Sequence, residues 1–187
     1  MKAKLSVSVL FLLLAFAVQA QPTNPMVQTI LSGYSAKNFI AEPVSEHDIN
    51  MILECGIKAP SARNSQLWKF MVIKDESLIS PVARFAKPGN IIIIVSGAET
   101  APEGMNVDFD CALATENMYV AAQGLGLGAH IYTGPIRNIN AKKQEYQIPE
   151  GYRAVSVLQI GHIDTGVDAV SAASSRKSKE ELVNYGK

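Results

Sequence analysis

Ala59-Pro60-Ser61-Ala62-Arg63-Asn64-Ser65-Gln66-Leu67-Trp68-Lys69-Phe70 joins a helical pattern to a strand-like one, and it carries the chain's single tryptophan. Pro60 stiffens the backbone at the entry to the turn. Asn64 and Gln66 each present a carbonyl acceptor and an NH₂ donor. A loop so built offers fixed donors and acceptors to a flat polar ligand. A polar turn capped by a core tryptophan has the same composition, and at this point both readings stay open.

Upstream, Ser45-Glu46-His47-Asp48 has the form of a capping box, and Ile49, Ile52, Leu53 and Gly56 continue it as a helical stripe ending near Lys58. A shorter helix is expected from Pro22 to Leu31, stopped by Ser32-Gly33. Downstream, Phe70 to Ile73 and Ile91 to Val95 are β-branched, apolar runs that read as buried strands. Their connection has room for one helical piece around Ser77 to Phe85. Asp110 to Gly124 is the longest expected helix, closed by Gly124, Gly126 and Gly128. Ala154 to Ile160 is a further strand and Lys179 to Val183 a last short helix. Neither an internal repeat nor a linker marks a second domain.

The N-terminus reads as a targeting segment. Lys2 and Lys4 precede an apolar run from Leu5 to Val18, and Val18-Gln19-Ala20 places small residues at a cleavage site. The run is about 14 residues, short of the roughly 20 needed to span a bilayer. We expect a signal peptide over residues 1–20, export by the general route to the periplasm, one domain over residues 21–187, and no membrane span after cleavage. Lys2 and Lys4 are two of the 17 basic residues, so 15 remain against 17 acidic ones. That balance argues against nucleic acid as a partner. Cys55 and Cys111 both fall in expected helices, where thiols pack as small hydrophobes, although an oxidising compartment also permits a disulfide.

Familiar side-chain chemistries find little support. A dinucleotide-binding glycine loop must follow a strand and open a helix, whereas Gly124, Gly126 and Gly128 close one. His47, His130 and His162 stand singly, without metal-ligand spacing, so no metal site is expected. There is no Gly-x-Ser-x-Gly elbow, and neither cysteine has a visible activating partner. Chemistry performed by this chain is therefore expected to come from a cofactor.

Four blocks taken together resemble the FMN-dependent nitroreductase family. They are Ser35-Ala36-Lys37-Asn38-Phe39 with Glu42-Pro43-Val44; Ala59-Pro60-Ser61 with Asn64-Ser65-Gln66 and Trp68; Asp110 to Gly128; and Gly161-His162 with Ser175-Arg176-Lys177. They cover nearly all of residues 21–187 in the family's order. The resemblance implies an α+β fold, a central, mostly antiparallel sheet flanked by helices, and a homodimer with the flavin lying between its subunits. It places Ser35 and Lys37 on the flavin phosphate, a group calling for hydroxyl donors and cations, with Arg176 on the same group and Lys177 assisting. Pro60 and Ser61 would line the ring. Asn64, with Gln66 beside it, would meet the pyrimidine edge, and the backbone of Tyr132, Thr133 and Gly134 would approach the reactive N5 edge. A phosphate site without an adenine-binding loop favours FMN over FAD.

The chain departs from the family pattern at two instructive points. Gly33 stands where members often carry an arginine, which removes one charge-assisted phosphate contact of about 1.5 to 3 kcal/mol. Leu67 stands where proline is usual before the tryptophan. The resemblance implies hydride transfer from NAD(P)H through the flavin to a nitroaromatic, a quinone or a similar small acceptor. An exported protein meets little nicotinamide cofactor, so a quinol, a thiol or a protein is the expected natural reductant. Two other readings remain beside the oxidoreductase: a flavin-binding protein without turnover, and a cofactor-less interaction protein that keeps the fold.

Overall fold

The computed structural model describes residues 24–167 and 175–186. The proposed signal peptide lies outside them. Ten elements follow in order: α1 (Pro25–Ser32), α2 (Glu46–Ile57), β1 (Trp68–Ile73), α3 (Glu76–Ile79), β2 (Ile91–Ala98), α4 (Val107–Gly124), β3 (Gly128–Tyr132), α5 (Ile136–Ala141), β4 (Tyr152–Gly161) and α6 (Lys179–Leu182). The four strands form one sheet in the order β1-β2-β4-β3, every pair antiparallel. This is the expected α+β architecture.

The unbroken isoleucine run of β2 reflects burial on both faces of the sheet. Because side chains alternate along a strand, Ile91, Ile93 and Val95 enter the cluster under α2 and α4 with Leu158 and Ile160. Ile92 and Ile94 enter the opposite cluster with Ile79, Ile139, Tyr146 and Val157. All five β2 side chains are at most 3% exposed, so neither face tolerates a charge.

α2 starts where its sequence signal puts it. Ser45 Oγ accepts the Asp48 N–H at 3.0 Å and donates to the Asp48 carboxylate at 2.7 Å, so the return bond of the box goes to the hydroxyl rather than to the Ser45 backbone. α4 ends in a Schellman turn: Gly126 N–H reaches Gln123 O, Leu127 N–H reaches Ala122 O, and Gly126 takes φ +80°. Gly128 serves packing instead. A Cβ there would lie 2.3 Å from Ile163 Cγ2 and 2.9 Å from Ala36 Cβ. The glycines thus combine a helix stop with a close approach, as their position predicts.

Other expectations are adjusted. α1 starts at Pro25 rather than Pro22, because Asn24 caps it by accepting the Met26 N–H at 2.9 Å. The piece expected over Ser77 to Phe85 is helical only from Glu76 to Ile79 and continues as turns. β3 and α5 were not expected: β3 opens inside a glycine cluster that reads as a helix stop, and α5 has only six residues. Both cysteines are free. Cys111 is fully buried, and burial, followed by the Asp108 charge, pushes its thiol up to about 12. Cys55 is only half-buried, and its backbone carbonyl accepts Asn117 Nδ2 of α4 at 3.1 Å.

Candidate functional site

The loop from Ala59 to Phe70 concentrates the backbone strain of the described residues. Arg63, Asn64 and Gln66 have φ of 52°, 54° and 48°, three of the four non-glycine residues with positive φ among the described residues. Each such residue costs on the order of 1–3 kcal/mol and persists only where its surroundings over-determine it. Three contacts do so here. The Ala62 N–H donates to both oxygens of Asp110, at 3.2 and 3.1 Å. Ser61 Oγ accepts the Gln66 N–H at 3.1 Å. Gln66 Nε2 donates to Asn64 Oδ1 at 3.1 Å.

Asp110 is 4% exposed and sits in the first turn of α4, where the helix dipole favours a negative charge. It is a positioning residue that the sequence reading missed. Its signal was present, an acidic residue in the first turn of an otherwise apolar helix, but that pattern usually marks only a helix start. Asn64 Nδ2 and Gln66 Oε1 remain uncommitted among the described residues, and both side chains are exposed. A donor and an acceptor side by side match the alternating C=O and N–H groups of an imide edge, so this donor set fits a flavin pyrimidine ring. Ser65 Oγ, buried without a partner among the described residues, adds a hydroxyl in the same loop.

Ser35 and Lys37 lie elsewhere. Ala36 between them is buried, its N–H donating to Ala129 O at 3.0 Å and its carbonyl meeting His130 Nδ1 at 2.8 Å. With Ala36 pinned against β3, its two neighbours are left exposed. Lys37 has no acidic partner among the described residues, nor does Arg84, which follows α3. The Arg84 guanidinium sits 4.5 Å over the Phe85 ring, which in turn packs 5.0 Å from the His130 imidazole. In the sequence His130 stands as a lone histidine and Arg84 carries no assigned role. They are 46 positions apart, and only the turn after α3 brings them together.

Tyr132 points inward. Its hydroxyl donates to Gln159 Oε1 at 2.8 Å, which leaves only its backbone for a ligand. Thr133 and Gly134 are exposed in the turn into α5, and a Cβ on Gly134 would meet nothing within 4 Å. Arg176 and Lys177 are exposed just before α6, whose capping bonds run between Ser178 and Glu181.

The two halves of the site occupy opposite ends of α4. Asp110 holds the amide loop at the N-terminal end, while at the C-terminal end Gln123 Oε1 accepts the Tyr34 N–H at 3.1 Å and so ties down the segment bearing Ser35 and Lys37. At 1.5 Å per helical residue the two anchors are about 20 Å apart along the axis.

Gln123 also accounts for Gly33. A Cβ at that position would lie 2.7 Å from Gln123 Oε1 and 3.1 Å from Thr29 O. An arginine there would therefore press on the Gln123 amide that anchors the same segment and on the Thr29 carbonyl. Gly33→Arg is expected to lower stability by about 1–3 kcal/mol, the usual cost of overpacking, and the added Gln123→Ala change should recover part of that loss. Thermal unfolding of the two variants checks this. A single variant as stable as the parent chain contradicts it.

The model of the Nitroreductase family matches residues 30–94. An Archaeoglobus fulgidus protein, provisionally named NADH dehydrogenase/NAD(P)H nitroreductase, is 28% identical over 148 residues, covering 73% of this chain and 84% of that protein. The NADPH-flavin oxidoreductase of Vibrio harveyi is 26% identical over 163 residues, covering 75% and 67%. A Desulfovibrio desulfuricans structure, provisionally named a nitroreductase and solved in complex with FMN, superposes with a TM-score of 0.73 at 26% identity, covering 88% of this chain and 98% of that one. The family match and the relatives support the nitroreductase family, and the structural likeness shows its fold.

Proposed function

We propose that this chain is an FMN-dependent oxidoreductase, a small exported member of the nitroreductase type, that passes electrons to a small acceptor such as a nitroaromatic or a quinone. The observation that carries the reading is the strained amide loop, in which three left-handed residues and a buried carboxylate hold a donor and an acceptor in fixed relation. The names of the curated relatives and the FMN of the structural neighbour support the cofactor. When bound, FMN supplies hydride transfer at its N5.

The chain's own residues bind and orient. Asn64 and Gln66 read the imide edge, Pro60 and Ser61 line the ring, and Ser35 and Lys37 hold the phosphate with Arg176 and Lys177. The backbone from Tyr132 to Gly134 faces the reactive edge. The relatives' names support NAD(P)H as reductant. After export, a quinol, a thiol or a protein takes that place.

The homodimer belongs to the same proposal. One flavin in contact with both half-sites requires the N-terminal end of one α4 beside the C-terminal end of another, the arrangement a two-fold axis produces from antiparallel copies. Apolar side chains stand exposed at both ends: Phe109 at 60%, and Leu125 at 41% with Met26, Ile30 and Leu31 of α1. A second copy of the chain is the partner that covers them.

Titration of FMN into the full-length protein, followed by quenching of flavin fluorescence and then by turnover of a quinone acceptor with NADPH, a quinol or a dithiol as donor, tests the function; turnover with NADPH at an ordinary micromolar KM counts against the non-nicotinamide reductant. Binding and turnover are expected, with Asn64→Ala weakening FMN about ten- to a hundredfold. Bound flavin without turnover by any donor would make the protein a carrier. Protein that ignores added FMN would leave only the fold.

A further inference from the structure

We propose that Lys37, Arg84 and His130 form an oxyanion-binding cluster that takes up one proton, at His130 Nε2, when it is filled. The proposal rests on the flavin reading only for the identity of the natural anion.

The geometry allows one titrating atom. His130 Nδ1 meets the Ala36 carbonyl at 2.8 Å, and a carbonyl only accepts, so Nδ1 carries the hydrogen and Nε2 is the nitrogen that gains or loses a proton. Lys37 is the residue next to Ala36. The two ring distances through Phe85 bring the Arg84 guanidinium within about 10 Å of the imidazole, inside one Debye length at moderate salt.

The groups facing His130 from each neighbouring element are Lys37 from the segment before α2, Arg84 and Phe85 from the turn after α3, Tyr132 of β3 and Gln159 of β4. Among the described residues no carboxylate joins them. Two cations without acidic partners beside a half-buried imidazole form a site that lacks its counter-charge. Burial, foremost, holds His130 below the usual histidine value; the Lys37 and Arg84 charges push it the same way, against the raising effect of the Ala36 hydrogen bond.

A bound oxyanion offsets the two cations and accepts a hydrogen bond from protonated Nε2, so the histidine value must rise on binding. By linkage, anion affinity then increases as pH falls through that range. The unfilled protein behaves oppositely. A histidine lowered in the folded state gives stability that is fully present above its unfolded value near 6.5 and is lost as pH falls through the folded value.

The test is a nuclear magnetic resonance titration of the His130 ring proton in the full chain between about pH 5 and 8, alone and with sulfate, FMN or riboflavin. Sulfate is chosen because its charge is constant over that range. The midpoint is expected below the ordinary histidine value without ligand and higher with sulfate, each unit of rise corresponding to about a tenfold gain in affinity for the protonated form. Lys37→Ala and Arg84→Ala should each raise the ligand-free midpoint. In His130→Asn, whose amide can still donate to Ala36 O, sulfate affinity should lose its pH dependence; should that variant not fold, the two cation variants read His130 directly.

FMN shifting the resonance while riboflavin does not assigns the anion to the coenzyme phosphate. Sulfate shifting it while FMN fails to bind keeps the cluster and ends the flavin reading. FMN and sulfate both binding with no change at His130, or an unaltered midpoint in Arg84→Ala, overturns the cluster and leaves the flavin reading standing.

Discussion

Lys37→Ala and Asn64→Ala are each expected to lose FMN by about ten- to a hundredfold, Lys37→Ala through a charge-assisted contact of about 1.5–3 kcal/mol. Mixing the two purified variants, with subunit exchange, is expected to restore binding to about one quarter of the sites. The recovery follows from the two ends of α4. If each flavin takes its phosphate contacts from one chain and its amide contacts from another, a mixed dimer holds one doubly altered site and one intact site. Random exchange makes half of all dimers mixed. Sites complete within one chain would recover nothing, because every chain in the mixture carries a defect. Flavin fluorescence after exchange in mild denaturant distinguishes the two outcomes, and a signal equal to the average of the separate variants contradicts the shared site.

The sequence makes one half of this arrangement visible and hides the other. Asn64 and Gln66 announce themselves because amides beside a proline before a strand have few structural duties, and the strands announce themselves because Ile91 to Val95 has no polar face. The φ values of Arg63, Asn64 and Gln66 are not legible in the same letters: no glycine marks them, and the energy that holds them comes from Asp110, 44 positions beyond Gln66. The Gly33 departure illustrates the same limit. From the letters it is a lost cation; in space it is the room that Gln123 needs to hold Tyr34. His130 was readable as a lone histidine but not as a neighbour of Arg84, since that proximity runs through the turn after α3 and the Phe85 ring. β3 escaped notice because its first residue is a glycine retained for contact with Ile163, Ala36 and Phe39, a reason unrelated to strand propensity. Local chemistry was legible, whereas tertiary compensation was not.

Asp110→Ala tests whether the amide loop is held from below. The carboxylate is the acceptor for the Ala62 N–H, and its removal strands a partly buried donor at a cost of about 1–3 kcal/mol. That is of the same order as the strain of a single left-handed residue, so the loop has reason to leave its native conformation. FMN affinity is therefore expected to fall at least tenfold although Asp110 is assigned no contact with the flavin. Asp110→Asn keeps an acceptor oxygen and should recover most of the affinity. General destabilisation would lower the thermal midpoint of both variants and leave FMN binding, measured well below that midpoint, unchanged. A positioning role separates the two: the alanine variant stays folded yet binds FMN weakly, while the asparagine variant binds well. Alanine binding FMN as tightly as the parent chain would show that Ser61 and Gln66 suffice to hold the loop and that the buried carboxylate serves only the start of α4.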